Sequence, residues 1–507
     1  MAKISAASFV NSVDENRKRL IQHCRNNKVE VSDTDSLDKV VDVTRGINFP
    51  ADDKPIKVEF LDIDCSELVP TYYVEKGADV VLPDITPNFD EEHLEFGSWA
   101  ISGGDELTNV QRNITCMPHY KTRYDESIGQ RPTYVQCYFD DTTLKPTINF
   151  SAVPTNTYID WGDGSSVEQV TAKTIAHTYS VKGFYWIKIY GDKYSLGGGT
   201  YGLFGSDPFK YCAIKIYLGE KNTLAGLNSH MNLECLVFDT YGATMPLPKY
   251  FLSYSSKLKS VIVPNGVTYL DDECFRYGYG LKKIILPNTL TGMNKNNMSY
   301  MYILEEISLP KSLSKMNEYS FYTCPMLKEL VIPDSVTTIG GYVLNTIGAL
   351  KKLVLSENLT SFGASNSLGG CYNLEELRFP PKITNSVTLG NAFSLKKLYI
   401  SKYSGSMTIV ATQAYNLSEI ILEDGHDCSL SFSASPLTED CLIDIANKIK
   451  DNTGLTARTL TISSSQCKLI LNTTYLNEFG GKVPYGTEGA VTLIEFIQNK
   501  NWTVTLS

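Results

Sequence analysis

Residues 158–164 read Y-I-D-W-G-D-G, with Asp160 and Asp163 standing among small residues around Trp161. Two carboxylates so placed could cage a cation through oxygen ligands or work as an acid–base pair. The rest of the chain does little to complete such chemistry. It contains no H-E-x-x-H, G-x-S-x-G, G-x-x-x-x-G-K or EF-hand loop. Its six histidines, at 23, 93, 119, 177, 230 and 426, are scattered, and none pairs with a nucleophile in the text. Gly197, Gly199 and Gly202 spell G-x-G-x-x-G, but L-F-G-S-D-P-F follows where a phosphate-binding helix would begin. That stretch reads as a flexible joint. The twelve cysteines lie singly, without a C-x-x-C pair, which speaks against zinc and against a thioredoxin-like motif. They read as buried free thiols of a protein made in a reducing cytoplasm. The sequence thus predicts no catalytic residue, no metal site, no cofactor and no enzyme. A polysaccharide depolymerase stays open as a third reading, since two carboxylates in a groove suffice and there are 56 acids.

A chain of 507 residues exceeds one ordinary core and predicts a string of modules. The net charge of −10, without a basic cluster, excludes a phosphate-binding face and with it a nucleic-acid partner. No apolar run is long enough to span a bilayer. The opening M-A-K-I-S-A-A-S-F-V-N-S-V-D-E does not read as a signal peptide, so no membrane insertion and no export by its own signal are expected.

Internal repetition organises most of the text. Leu233, Leu258, Leu281, Leu304, Leu327, Leu350, Leu374, Leu395 and Leu417 open similar segments about 23 residues apart. Apolar residues follow three and five places on, as in Val261 and Val263 or Leu330 and Ile332, which is the period of a short strand with one buried face. Proline then ends the strand at 264, 287, 310, 333 and 380. One such unit cannot bury its own apolar side, whereas stacked units can, so a solenoid follows.

Three outward-facing patterns bear on partners. Opposite charges neighbour each other across coils, as in Glu305-Glu306 beside Lys328-Glu329, which stabilises the stack. The fourth place after the leading Leu holds Val237, Ile262, Ile285, Val331, Val354 and Ile421. Such a stripe is covered by another subunit or a ligand, unless β-propensity alone accounts for it. Tyr254, Tyr279 and Tyr302 share one repeat position, and Tyr277 and Tyr300 another. They form either a structural ladder or an aromatic surface for sugar rings or protein hot spots.

The pattern L-K-x-L-x-I-P-x-S-V-x-x-I over residues 211–430 resembles the BspA-like leucine-rich repeat family of bacterial surface adhesins and some phage proteins, a resemblance that implies adhesion and no chemistry. Residues 143–192, with D-W-G-D-G-S and H-T-Y…G-F-Y-W-I-K-I, resemble a PKD-like β-sandwich, which implies that Trp161 packs in the core and that Asp160 and Asp163 shape a turn. K-G-A-D-V-V-L-P and F-G-S-W within 55–122 resemble the β-grasp-like Listeria–Bacteroides repeat, although the usual G-W is here Gly97-Ser98-Trp99. Residues 1–50 show helical spacing and outline an anchor like those that begin some phage tail proteins. Residues 436–507 turn to helix–strand units that cap the solenoid.

Together these predict a multidomain, mainly β chain: short N-terminal helices, a β-grasp-like module, a β-sandwich and a leucine-rich solenoid with an α/β cap. The expected function is that of a bacteriophage structural protein, a tail or head fibre or spike. In that reading the protein oligomerises with itself, binds other virion proteins through residues 1–50, and meets a host surface glycan or protein through its repeats. The alternative is a bacterial cell-surface or secreted adhesin. The expected contact residues are Tyr254, Tyr277, Tyr279, Tyr300, Tyr302, Ile262, Ile285, Val331 and Val354.

Overall fold

The computed structural model describes residues 55–104, 107–140, 146–196, 212–222, 227, 231–363, 368–432 and 434–506. The expected N-terminal anchor and the Gly197–Gly202 joint lie outside these residues. The described protein is mainly β, with three α-helices, all near the C-terminus.

Strands β1 (Ile56–Leu61), β2 (Glu67–Val74), β3 (Leu94–Ile101) and β4 (Ile114–Thr122) form one sheet in the order β2-β1-β4-β3, with β1 parallel to β4. Alternation places Val58, Phe60, Ile114 and Cys116 in its core. The pairing of β3 with β4 slips between Phe96 and Ser98, a bulge at Gly97.

A second sheet runs β12-β11-β5-β10-β7-β8, from β5 (Thr133–Phe139), β7 (Thr157–Asp160), β8 (Glu168–Gln169), β10 (Gly183–Gly191), β11 (Ala213–Tyr217) and β12 (Cys235–Val237). Between them in sequence, β6 (Thr147–Asn149) pairs with β9 (Thr174–Ala176). This sheet crosses the 143–192 boundary at both ends. Its central strand β5 precedes the boundary, and β11 and β12 are already the first coils of the repeat. The signal for β5 was present in the alternation Thr133, Val135, Cys137, Phe139, all buried.

Stacked coils follow. Every leading leucine is buried, at most 3% exposed. One long parallel sheet joins Met245–Leu247, Val267–Leu270, Gly292–Met293, Lys315–Met316, Thr338–Ile339 and Ser361–Phe362. The strands after the leading leucines pair in parallel in shorter runs, such as Ser260–Ile262 with Lys283–Ile285 and Glu329–Val331 with Lys352–Val354. Polar ladders lock the register: Asn317 Nδ2 donates to Asn294 Oδ1, and Asn294 Nδ2 to Asp271 Oδ1, each at 2.9 Å. The charges expected to neighbour across coils do pair: Lys328 with Glu305, Lys396 with Glu375 at 3.0 Å and Lys397 with Glu419 at 2.8 Å. The solenoid's core runs on into the helices Glu439–Lys448, Ser465–Thr473 and Leu493–Asn499 and the strand Trp502–Leu506. Thr492 caps the last of these helices in a reciprocal capping box with Glu495.

The outward apolar stripe is covered, and by the chain itself. Leu61, Leu94, Met117 and Tyr120 of the first sheet, with Ile63 in the turn after β1, pack onto Tyr217, Cys235, Val237, Ile262 and Ile285. Ile262 and Ile285 are therefore buried, at 8% and 3% exposure, and are not a surface for a separate subunit or ligand. Further along the column the cover ends: Val331 is half-buried and Val354 is 42% exposed. The edge of the contact is ionic. Glu59 meets Lys283 at 2.7 Å, Lys57 meets Glu306 at 2.9 Å, and the two pairs connect through Lys57–Glu59 at 3.3 Å and Lys283–Glu306 at 3.5 Å. Burial alone would lift the Glu59 carboxyl, but Lys283 and Lys57 outweigh it and hold it below the usual range. His119 Nε2 lies 3.1 Å from Phe238 O, and Arg112 donates to Leu309 O at 3.3 Å.

The same column yields a paired prediction. Ile285→Asp places an unpaired charge in this contact, at a cost of about 3 kcal/mol or more, and limited proteolysis should then cut residues 56–122 free. Val354→Asp, on the uncovered part of the column, should stay within about 0.5 kcal/mol of wild type and leave the cleavage pattern unchanged.

Candidate functional site

The Asp160–Asp163 motif closes the end of β7, and its carboxylates are engaged in shaping the turn. Asp160 Oδ1 accepts from Gly162 N at 3.0 Å, and Asp163 Oδ1 from Ser165 N at 3.0 Å. Gly162 sits at φ +70°, where an added Cβ would meet the Trp186 carbonyl at 2.3 Å, so only glycine fits there. Asp163 Oδ2 lies 2.8 Å from His177 Nε2, and the imidazole stacks on Trp161 at 4.6 Å. Tyr179 donates to Trp161 O, and Trp161 Nε1 to Glu168, both at 3.0 Å. Burial opposes the Asp163 charge, yet the hydrogen bonds from Ser165 and His177 pull its carboxyl down to about 2. Each potential ligand atom of the motif named here already has a partner inside the fold.

Contrary to the expectation that no histidine pairs with a nucleophile, His426 and Cys428, two positions apart in the text, do meet, Sγ to Nε2 at 3.1 Å. A nucleophilic pair needs thiolate beside imidazolium. Here burial pushes the thiol up to about 12 and the imidazole down to about 4, the reverse of that requirement. Both side chains are buried, and their place is in the core at the junction with the cap. Among the described residues no group of three or more His, Cys, Asp or Glu is arranged to hold a metal ion.

What the structure does bring together is tyrosine. Tyr254, Tyr277 and Tyr300 form one stacked column, with ring centroids 4.6 and 4.7 Å apart. Tyr279 and Tyr302 form a second at 5.3 Å, and Tyr277 to Tyr279 is 5.8 Å, so the columns adjoin. Tyr254 thus belongs with Tyr277 and Tyr300, not with Tyr279 and Tyr302. The coil from Leu233 to Leu258 is longer than its neighbours, and counting forward from the leading leucine displaces Tyr254 by two places. A third column, Tyr319 on Tyr342 at 5.0 Å, touches the first through Tyr322.

The backbone explains why these side chains line up. Tyr254, Tyr277, Tyr300, Thr323 and Thr346 repeat one left-handed position, and Tyr250, Glu273, Asn296, Tyr319 and Tyr342 another, all with φ between +57° and +65°. For residues with a Cβ this conformation costs roughly 1–2 kcal/mol each. It turns each N–H along the stack, where it finds a carbonyl one coil on: Tyr254 to Arg276, Tyr277 to Ser299 and Tyr300 to Tyr322, at 2.9–3.0 Å. Ring stacking returns about 0.5–1.5 kcal/mol per pair. The Arg276 guanidinium lies 4.6 Å from the Tyr277 ring centre and 5.5 Å from that of Tyr300, and pairs with Glu273 at 2.6 Å. Tyr254 and Tyr302 are 44% and 43% exposed, and Tyr277, Tyr279 and Tyr300 are half-buried. The stacked rings spend their faces on one another, so ring edges and phenol hydroxyls form most of what a partner would meet.

Residues 246–375 and 294–421 match the BspA type leucine rich repeat region, in six copies, so the repeats of this chain are of that type. Solved structures with likeness to the chain include a leucine-rich repeat protein of Bacteroides ovatus, 18% identical, covering 45% of this chain and 59% of that one, with a TM-score of 0.29. A leucine rich cell surface protein of Faecalibacterium prausnitzii is 16% identical over 40% of this chain and 76% of that one, TM-score 0.23. A leucine-rich repeat protein of Eubacterium ventriosum is 14% identical over 68% of this chain and 100% of that one, TM-score 0.29. The chain therefore spans less than two thirds of the Bacteroides protein. No curated protein matches it.

The turn network predicts a pH signature. The folded Asp163 carboxyl titrates near 2, below its ordinary 3.8, so its contribution to stability is complete above about pH 4 and is lost as pH falls through about 2. Asp163→Asn should lower the unfolding midpoint followed by Trp161 fluorescence at neutral pH, and the difference from wild type should vanish toward pH 2. Calcium should move neither midpoint.

Proposed function

We propose that the chain is an adhesion protein whose stiff repeat region holds the tyrosine columns out to a protein or glycan on another surface. The observation that carries this reading is the exposed aromatic edge built on consecutive left-handed bends. Large, rigid, amphipathic side chains with fixed backbones give contact area at low entropic cost. The strand face of the early coils is already occupied by the chain's own first sheet, and most of the later strand face is neutralised by paired lysines and glutamates. The tyrosine edge is the surface this reading assigns to recognition.

For the carrier, the reading we favour is a virion fibre or spike, supported by the cysteines: all eleven described are free and nine are buried. Thiols in such number suit assembly in a reducing cytoplasm. A bacterial cell surface is the second reading, favoured by the BspA-type repeats. No helix of the described residues is long and apolar enough to cross a membrane.

Labelled full-length chain should bind saturably to a few strains in a panel of intact bacteria. The Tyr254→Ser/Tyr302→Ser variant should bind at least tenfold more weakly while unfolding within about 2 °C of wild type. Equal binding by that variant would contradict the assignment of the edge. Peptides of the chain in purified virions would favour the first carrier, and antibody labelling of intact producing cells the second.

A further inference from the structure

The cover supplied by the first sheet stops short of the coils that open at Leu327 and Leu350. There Val331 is half-buried, Val354 is 42% exposed, and Lys351 and Lys352 stand exposed beside them. The two ammonium groups are poorly partnered. Lys352 reaches Glu329 only at 4.0 Å, and among the described residues Lys351 makes no ion pair.

The path of β1 shows which part of the chain comes to that face next. As residue number falls, its contacts climb the solenoid one coil at a time: Ser260 Oγ donates to the Ile63 carbonyl, Glu59 meets Lys283 at 2.7 Å, and Lys57 meets Glu306 at 2.9 Å. Lys283, Glu306, Glu329 and Lys352 occupy one repeat position, 23 residues apart. A strand advances about 3.3 Å per residue and coils lie about 4.8 Å apart, so about two residues of strand cover a coil, as they do between Glu59 and Lys57. Continued backward at that rate, the chain reaches the coil of Glu329 at about residue 55 and that of Lys352 at about residue 53.

The described residues begin at Pro55, and the text leading to it, from Arg45, is R-G-I-N-F-P-A-D-D-K-P. Two carboxylates, Asp52 and Asp53, fall where the solenoid presents two lysines. That continues the alternation of Glu59 on Lys283 and Lys57 on Glu306. A slip outward by one coil would set the same carboxylates against Glu375 and Glu376. Ile47, Phe49, Ala51 and Asp53 share the parity of Lys57 and Glu59, the side that meets the solenoid. Proline restricts the residue before it to extended conformations, so Pro50 and Pro55 favour a straight course at Phe49 and Lys54. Neither proline can donate to a ladder, which leaves side chains to make the contact.

We propose that residues 47–54 dock on the strand face of the coils of Leu327 and Leu350, with Asp53 and Asp52 on Lys352 and Lys351 and with Ala51 and Phe49 along the edge of the valine column. Pairs this exposed add little to global stability, so the docking fixes a position and not the fold. The chain before residue 47 then departs from the strand face. In the adhesion reading, on which this consequence rests, the N-terminal end can be held by a carrier while the tyrosine edge stays free.

The test is carbodiimide cross-linking of the full chain at low ionic strength, where surface pairs are least screened, with mass-spectrometric mapping of a mixture of isotopically light and heavy chain. Expected are light–light and heavy–heavy links from Asp52 or Asp53 to Lys351 or Lys352. A photoreactive benzoylphenylalanine in place of Phe49 should likewise link to residues 327–399. Lys351→Glu/Lys352→Glu should abolish that photo-link, and adding Asp52→Lys/Asp53→Lys to it should restore the link. A Lys57–Glu306 link without any from residues 45–54 to residues 327–399 would overturn the docking, as would a photo-link indifferent to the lysine variant. Light–heavy links would give the face to a second copy, and links from Asp105 or Glu106 to these lysines would give it to the β3–β4 connection, each overturning the proposal. None of these readouts involves cell binding, so failure of the docking and failure of the adhesion reading are separate outcomes.

Discussion

Leu61, Ile63, Met117 and Tyr120 lie against Val237, Ile262 and Ile285, and the arrangement of the whole chain depends on that contact. A stacked repeat satisfies its own interior: leucines at every coil fill the core, and polar ladders fix the register. It leaves an outer strand face of β-branched residues that water would otherwise cover. Burying such residues is worth roughly 1.5–3 kcal/mol apiece, and the first sheet supplies the cover. Once it is seated, its edge determines which coils remain exposed.

Charge completes the seating without driving it. The pairs Glu59–Lys283 and Lys57–Glu306 join an alternation of sign that already runs along the solenoid, so strand β1 inserts into an existing ladder. Partly exposed pairs contribute little individually, up to about 1 kcal/mol. They do penalise a shifted register, because a displacement by one coil would set Lys57 against Lys283. The apolar contact gives the affinity, and the charges give the position.

Much of the solenoid was legible in the text, because the coils repeat the same local rules: a leading leucine, two inward residues and, in five of them, a proline. The stripe at Ile262 and Ile285 was legible as a surface needing cover. What covers it was not, since Ile63 and Met117 come more than a hundred residues before those positions and carry no signal of where they dock. Strand β5 alternated correctly in sequence but fell between two recognised modules, and only its pairing with β10 and β11 shows that it centres a sheet. The tyrosine columns were visible as a period, and a coil of irregular length misassigned Tyr254. His426 and Cys428 stand two positions apart in the text, so their proximity was legible there, whereas the burial that shifts both groups was not. The bulge after Gly97 showed in the sequence only as an insertion.

The central claim, that the first sheet is seated on the strand face of the early coils, is tested most directly by zero-length carbodiimide cross-linking of the full chain with mass-spectrometric mapping. The account predicts Lys57–Glu306 and Lys121–Asp239 cross-links in yields comparable to the internal Lys328–Glu305 and Lys396–Glu375 pairs. Internal cross-links without any between residues 56–122 and 235–309 would contradict it.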